Sequence, residues 1–211
     1  MKQEEPALER TSLSKYRPGS IVKSKILFLK EINMGRASRK EEILLAASKI
    51  VSERGIFSLT LESAALEAGI SKGGLLYHFP SKEALVKGMV EHLAQNYREK
   101  VAAKAAESPE EKGKWIKSYV TVTFKEQYQN QGMHAGLLAA KAVNKELLNP
   151  IQELYHDWET EVETDGIDPI KASIIQLAAD GIWLSELLDT RHIDEEKKEA
   201  IYERLIEWAN E

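Results

Sequence analysis

The 211-residue chain has no cysteine. Disulfide frameworks, thiolate metal sites and cysteine nucleophiles are therefore excluded. Proline and glycine are sparse, at 6 and 12 residues, while Ala, Glu, Lys and Leu are abundant, the composition of an all-α protein. No apolar run approaches the roughly eighteen residues of a membrane span, and the opening MKQEEPALER lacks the pattern of a secretory signal. A cytoplasmic protein with no membrane partner is expected. A phosphate-cradling glycine loop and a nucleophile elbow are also missing. Glu159, Glu161 and Glu163 alternate along a predicted helix, so they do not converge and read as a solvated face. His78, His92, His134, His156 and His192 are scattered, without the i, i+4 partners of a metal site. Catalysis, a metal and a cofactor are not expected.

What is present is an uneven charge distribution within a net −5. Met1–Gly35 holds seven Lys/Arg against four Asp/Glu, Arg36–Lys87 eight against six, and Gly88–Glu211 fourteen against twenty-four. Phosphate contact needs cations, so any nucleic-acid face lies in the N-terminal part.

The segment from Thr60 to Leu85 carries the strongest local pattern. Thr60 can cap a helix over about Leu61–Ala68, Gly69 supplies the positive φ that ends it, and Ser71 can cap a second helix over about Lys72–Phe79, stopped by Pro80. Helix, glycine turn and helix at this spacing form the helix-turn-helix that lays its second helix in a DNA major groove. An amphipathic helix over Arg39–Arg54 precedes it. Ala64, Ala65 and Ala68 allow close helix crossing, and Ile56, Phe57, Leu59, Leu61, Leu66, Ile70, Leu75 and Leu76 complete the expected core of this part. Ser71, Lys72, Gly73 and Gly74 make a small or cationic helix end that can approach bases. Gly74 has no side chain to read one, so specificity must come from neighbours such as Leu75 or from DNA shape. Lys82 and Thr60 stand at helix starts suited to phosphate contact, and Arg36 and Arg39 are placed to reach a minor groove.

These residues resemble the signature of the TetR/AcrR transcriptional regulators. The resemblance rests on Ala68-Gly69-Ile70-Ser71-Lys72-Gly73, the cluster Tyr77, His78 and Phe79, and Ser81-Lys82-Glu83-Ala84-Leu85. It is dense from Arg39 to Val90, and beyond that only length and helical character agree. Gly74 stands where the family often has Thr or Ala, and Leu76 where it often has Tyr. The resemblance implies about nine helices, phosphate contacts from Tyr77 and His78, a C-terminal effector cavity, and a homodimeric repressor released from a palindromic operator by a small apolar or amphipathic effector. An activator, or a ligand-binding module with a degenerate helix-turn-helix, remains an open alternative.

The remaining helices are predicted at about Lys82–Glu107, Pro109–Asn130, Met133–Asn144, Lys145–Asp165, Pro169–Asp189 and Glu195–Asn210, with caps at Ser81, Ser108, Asp168 and Asp194. Trp115, Tyr119, Phe124, Met133, His134, Leu137, Tyr155, Trp158 and Trp183 are the side chains that could line the implied cavity, with Gln127 or Tyr155 beside His134 as a polar anchor. Ile174, Leu177, Ala178, Gly181, Ile182 and Ser185 form an apolar stripe with small residues. Paired with Ile201, Leu205 and Trp208, it suits a two-fold four-helix interface.

The expected organisation is an N-terminal extension over 1–34, a helix-turn-helix domain over 35–82 and an effector-binding and dimerisation domain over 83–211. The extension reads as a disordered tail or a basic arm. A third reading comes from the genetic code: Lys30-Glu31-Ile32-Asn33-Met34 can be written AAG GAG ATH AAY ATG, a ribosome-binding sequence, spacer and start codon, making Met34 the physiological start.

Overall fold

The computed structural model describes residues 38–125 and 131–211, with side chains from 136 onward in the second stretch. The readings of Met1–Met34, Arg36 and Gln127 and of the Met133 and His134 side chains lie outside the described residues. Nine α-helices occur among the described residues. They are α1 (Arg39–Arg54), α2 (Leu61–Glu67), α3 (Lys72–His78), α4 (Lys82–Glu107), α5 (Lys114–Lys125), α6 (Gln131–Val143), α7 (Asn149–Glu163), α8 (Pro169–Leu187) and α9 (Glu195–Asn210). No strand occurs among them.

Local chemistry sets most helix starts. The side chains of Thr60, Ser71, Ser81, Asp168 and Asp194 each accept the backbone N–H three residues on, so each satisfies a donor the helix leaves free. Gly69 ends α2 with φ +66°.

Two helices begin elsewhere than predicted. α5 starts at Lys114, not Pro109. Its cap is tertiary: the Asp165 carboxylate accepts from the backbone N–H groups of Trp115 at 2.9 Å and Ile116 at 3.0 Å, while Gly113, at φ +68°, donates its N–H to the Asp165 carbonyl. The helix predicted over Lys145–Asp165 is a short 3-10 turn, Lys145–Leu148, followed by α7. Pro150 accounts for the break, because it has no N–H to donate and suits a helix's first turn.

Packing forms two cores. The first joins α1, α2, α3 and the start of α4 through Ile43, Ile50, Leu59, Leu75, Phe79, Leu85 and Met89, and α6 closes it with Ala139 and Ala140. The second gathers α5, α7, α8 and α9 around Val101, Ile116, Val120, Leu154, Trp158 and Ile175. Helix α4 runs through both: Leu85 to Leu93 belong to the first and Ala94 to Val101 to the second.

Three residues assigned to the first core face outward instead. Phe57 is 94% exposed and Leu66 83%, and Leu76 is also exposed. Helical period explains each. In the 3-10 turn, Ile56 and Leu59 face inward three residues apart and turn Phe57 out. In α2, Leu61, Ala64 and Ala65, with Ala68 just past the helix end, share the inward stripe, which leaves Leu66 on the opposite side. In α3, Leu75 faces inward, as does Phe79 just past the helix end, and Leu76 does not.

Candidate functional site: an exposed helix and an aromatic cavity

Helix α3 contributes one buried side chain, Leu75. That corrects its expected role as a base reader, because a fully buried leucine cannot reach a base. The rest of α3 faces out. Tyr77 is 86% exposed, with the half-buried His78 ring edge-on to it at 5.2 Å. Gly73 and Gly74 are exposed beside Ser71, whose hydroxyl accepts from the Gly74 N–H at 3.1 Å. Lys72 forms an ion pair with Glu62, which holds the Glu62 carboxyl below its ordinary range, chiefly through the hydrogen bond to Lys72. The pair ties the start of α3 to the start of α2.

Thr60 and Ser63 bond reciprocally in a capping box. Lys82 Nζ reaches the Ile56 carbonyl at 3.4 Å, bringing the start of α4 beside the turn that precedes Thr60. Arg39 pairs with Glu42 at 2.6 Å. Behind this surface, Lys49 and Arg54 of α1 both bind the Glu67 carboxylate, at 2.6 and 2.9 Å, and fix α2 against α1.

The second site lies among α4, α5, α6, α7 and α8. A cavity there comprises about 480 Å³ of empty space, partly open to solvent, lined by Leu93, Tyr97, Tyr119, Leu137, Ile151, Leu154, Tyr155, Trp158, Asp180 and Trp183. The sequence pattern had picked out Tyr119, Leu137, Tyr155, Trp158 and Trp183. Two of its other choices sit elsewhere: Trp115 lines a separate small void with Val101 and Gln176, and Phe124 packs against the Tyr202 ring at 5.7 Å. Helical period marks a residue as inward, but in a bundle with several inward faces it does not say which space it enters.

The residue missed was Asp180. Tyr119 and Tyr155 both donate their hydroxyls to its carboxylate, the second at 3.1 Å. Burial pushes the Asp180 carboxyl up from its ordinary value, against the downward pull of the two hydroxyls. Burial and the nearby Asp180 likewise raise both tyrosine hydroxyls, so both stay protonated. The available signal was an acid in the middle of the apolar stretch IIQLAADGIWL.

On α8, Leu177 is 69% exposed, and Ile170, Ile174 and Leu184 are exposed with it, as is Leu188 just past the helix end. Gly181 is exposed, and Ala178, Ile182, Ser185 and Ile201 are half-buried. Trp208 is exposed, but Leu205, at 3%, belongs to the second core and is not available to a partner.

Among the described residues no helix is long and apolar enough to cross a membrane, and no group of three or more His, Cys, Asp or Glu is placed to hold a metal.

Known proteins match this arrangement at both ends. The family model for bacterial regulatory proteins of the tetR family matches residues 43–89, and that for the tetracyclin repressor-like C-terminal domain matches 113–210. The HTH-type transcriptional regulator LmrA of Bacillus subtilis is 30% identical over 135 residues, 62% of this chain and 72% of LmrA. The HTH-type transcriptional repressor KstR2 of Rhodococcus jostii is 38% identical over 73 residues, 33% of this chain and 36% of KstR2. The solved structure of the fatty acid degradation regulator FadR from Bacillus halodurans shares the fold, with TM-score 0.64 at 16% identity over 81% of this chain and 95% of FadR. Both terminal matches, and LmrA along most of its length, place the chain in the TetR family of transcriptional regulators.

Proposed function

We propose that the protein is a homodimeric repressor that binds a palindromic operator through α3 and releases it when a small molecule occupies the aromatic cavity. The observation that carries the reading is α3 itself. It spends one side chain, Leu75, on the core and presents Lys72, Gly73, Gly74 and Tyr77 to solvent on a capped helix end. A helix that commits one side chain to the core leaves its other faces free for presentation. In this reading Lys72 contacts a phosphate or a guanine edge, Tyr77 and His78 contact phosphates, Ser71, Gly73 and Gly74 allow close approach, and Thr60, Lys82, Arg39 and Arg36 flank the site on the backbone. The reading assigns no catalytic role and places the protein in the cytoplasm.

Release follows from α4. Two recognition helices must stand about 34–36 Å apart to engage two half-sites. Leu93 and Tyr97 of α4 line the cavity, and the N-terminal end of the same helix packs into the first core. A ligand that favours a shifted α4 changes the spacing of the α3 pair, and a tenfold loss of operator affinity needs about 1.4 kcal/mol of differential binding. The exposed face of α8, with Ile174 and Leu177, together with the exposed Trp208 of α9, supplies the dimer contact.

The test is a mobility shift on the protein's own upstream DNA with a scrambled duplex as competitor. A sequence-specific shift that weakens steeply with salt and is lost in Lys72→Ala or Tyr77→Ala is the expected result. Binding no tighter than to the scrambled duplex at low and moderate salt overturns the reading.

A further inference from the structure

We infer that the cavity selects an organic monocation with an apolar body, an amine or a quaternary ammonium, and that Asp180 is its counter-ion. The inference rests on the effector role proposed above and names the chemical class of that effector.

The first observation is the charge of the cavity. Among the described lining residues, Asp180 is the only ionisable acid or base other than tyrosine, and none is cationic. Among the described residues its carboxylate takes neutral donors, one tyrosine hydroxyl on each oxygen. Two hydroxyls orient the group but leave its charge uncompensated, and each carboxylate oxygen keeps capacity to accept another donor. A buried carboxylate without a cation beside it is costly. The raised Asp180 carboxyl expresses the same cost, and a bound cation would relieve it.

The second observation is independent of charge pairing. The Trp158 ring is the hub of an aromatic cluster, with centroids of Tyr119 at 5.0 Å, Tyr155 at 5.6 Å and Tyr97 at 5.8 Å. Trp183 joins the lining three residues after Asp180 on α8, which places both on one helix face. Aromatic faces carry negative quadrupole potential and attract cations, most strongly when water is excluded. The same potential repels anions, so a fatty acid or other carboxylate would meet Asp180 and the ring faces together. Leu93, Ile151 and Leu154 supply the surface for an apolar body.

The test uses the full chain and three matched probes: 4-phenylbutyltrimethylammonium, its uncharged isostere with carbon in place of nitrogen, and 5-phenylpentanoate. Binding is read by calorimetry and by tryptophan fluorescence, to which Trp158 and Trp183 report directly. The cation is expected to bind at least tenfold more tightly than the isostere, with the anion weakest. Asp180→Asn is expected to weaken the cation at least tenfold while leaving the isostere within about twofold. An isostere or anion that binds as tightly as the cation overturns the inference, as does a folded Asp180→Asn protein that keeps its preference for the cation. The comparison of probes on the unmodified protein stands even where the variant does not fold. A parallel mobility shift separates the two readings. Operator binding without cation selectivity removes the ligand class and leaves the regulator, whereas Asp180-dependent cation binding without any effect on DNA binding leaves the ligand class and removes its regulatory role.

Discussion

Phe79 and Gly88 meet so closely that the glycine is required. A methyl group on Gly88 would lie 2.6 Å from Phe79 Cε1 and 3.2 Å from Leu44 Cδ2. Phe79 ends the helix-turn-helix and is buried, while Gly88 lies inside α4. The contact seats the DNA-facing unit on the helix that also lines the cavity. Gly88→Ala gains about 1 kcal/mol of helix propensity but overpacks a filled site, at about 1–3 kcal/mol. A net loss of stability is expected in urea unfolding. Gly73→Ala, whose nearest contact would be Ser71 Oγ at 4.0 Å, is the control and should not lose stability. Equal or greater stability of Gly88→Ala would mean that this seat is loose.

Lys72 offers a clean separation of folding from binding. Among the described residues it pairs with Glu62, and both side chains are more than half exposed, a setting in which ion pairs add little. Lys72→Ala should therefore change stability by less than about 0.5 kcal/mol. If Lys72 meets a phosphate, the same change reduces the salt slope of DNA binding by about one per site contacted. An unchanged slope with unchanged affinity would remove Lys72 from the interface.

Much of the fold was legible because its punctuation is local. Thr60, Ser71, Ser81, Asp168 and Asp194 each cap the helix that follows them directly, and a residue next to its own target can be read from a short window. The start of α5 could not be read that way, since Asp165 reaches it from 50 residues along the chain. Asp180 was hidden for the same reason. Its partners Tyr119 and Tyr155 lie on two other helices, and only packing brings the three together. On α3 the pattern located the helix and its cap, but Leu75 and Leu76 are adjacent apolar residues, and only the packed structure shows which one is buried.

The α8 face yields a test of assembly. Leu177 and its exposed apolar neighbours form a patch of the kind that marks an interface. Leu177→Lys should shift the protein from dimer to monomer in sedimentation velocity at micromolar concentration, and with it abolish the mobility shift, because a single α3 engages one half-site. Its unfolding midpoint should lose the concentration dependence expected of a dimer. A Leu177→Lys protein that sediments as the unmodified chain does would place the interface elsewhere.

Asp180 gives the protein a pH-dependent stability of definite sign. Its carboxyl is raised in the folded state, mainly by burial, with the hydroxyls of Tyr119 and Tyr155 pulling the other way. In the unfolded chain it titrates near the ordinary value of about 3.9. Between that value and the raised one, the folded state holds more of the proton than the unfolded state does. The slope of unfolding free energy with pH follows the protons bound unfolded minus those bound folded, so this group lowers stability as pH rises through the window. Asp180→Asn removes the proton exchange but keeps an amide oxygen able to accept from one tyrosine. Measured without ligand, its stability relative to the unmodified protein should therefore improve from pH 4 to pH 7. Urea unfolding of both proteins at the two pH values reads the difference directly, and a difference independent of pH would mean that Asp180 titrates in the fold as it does in water.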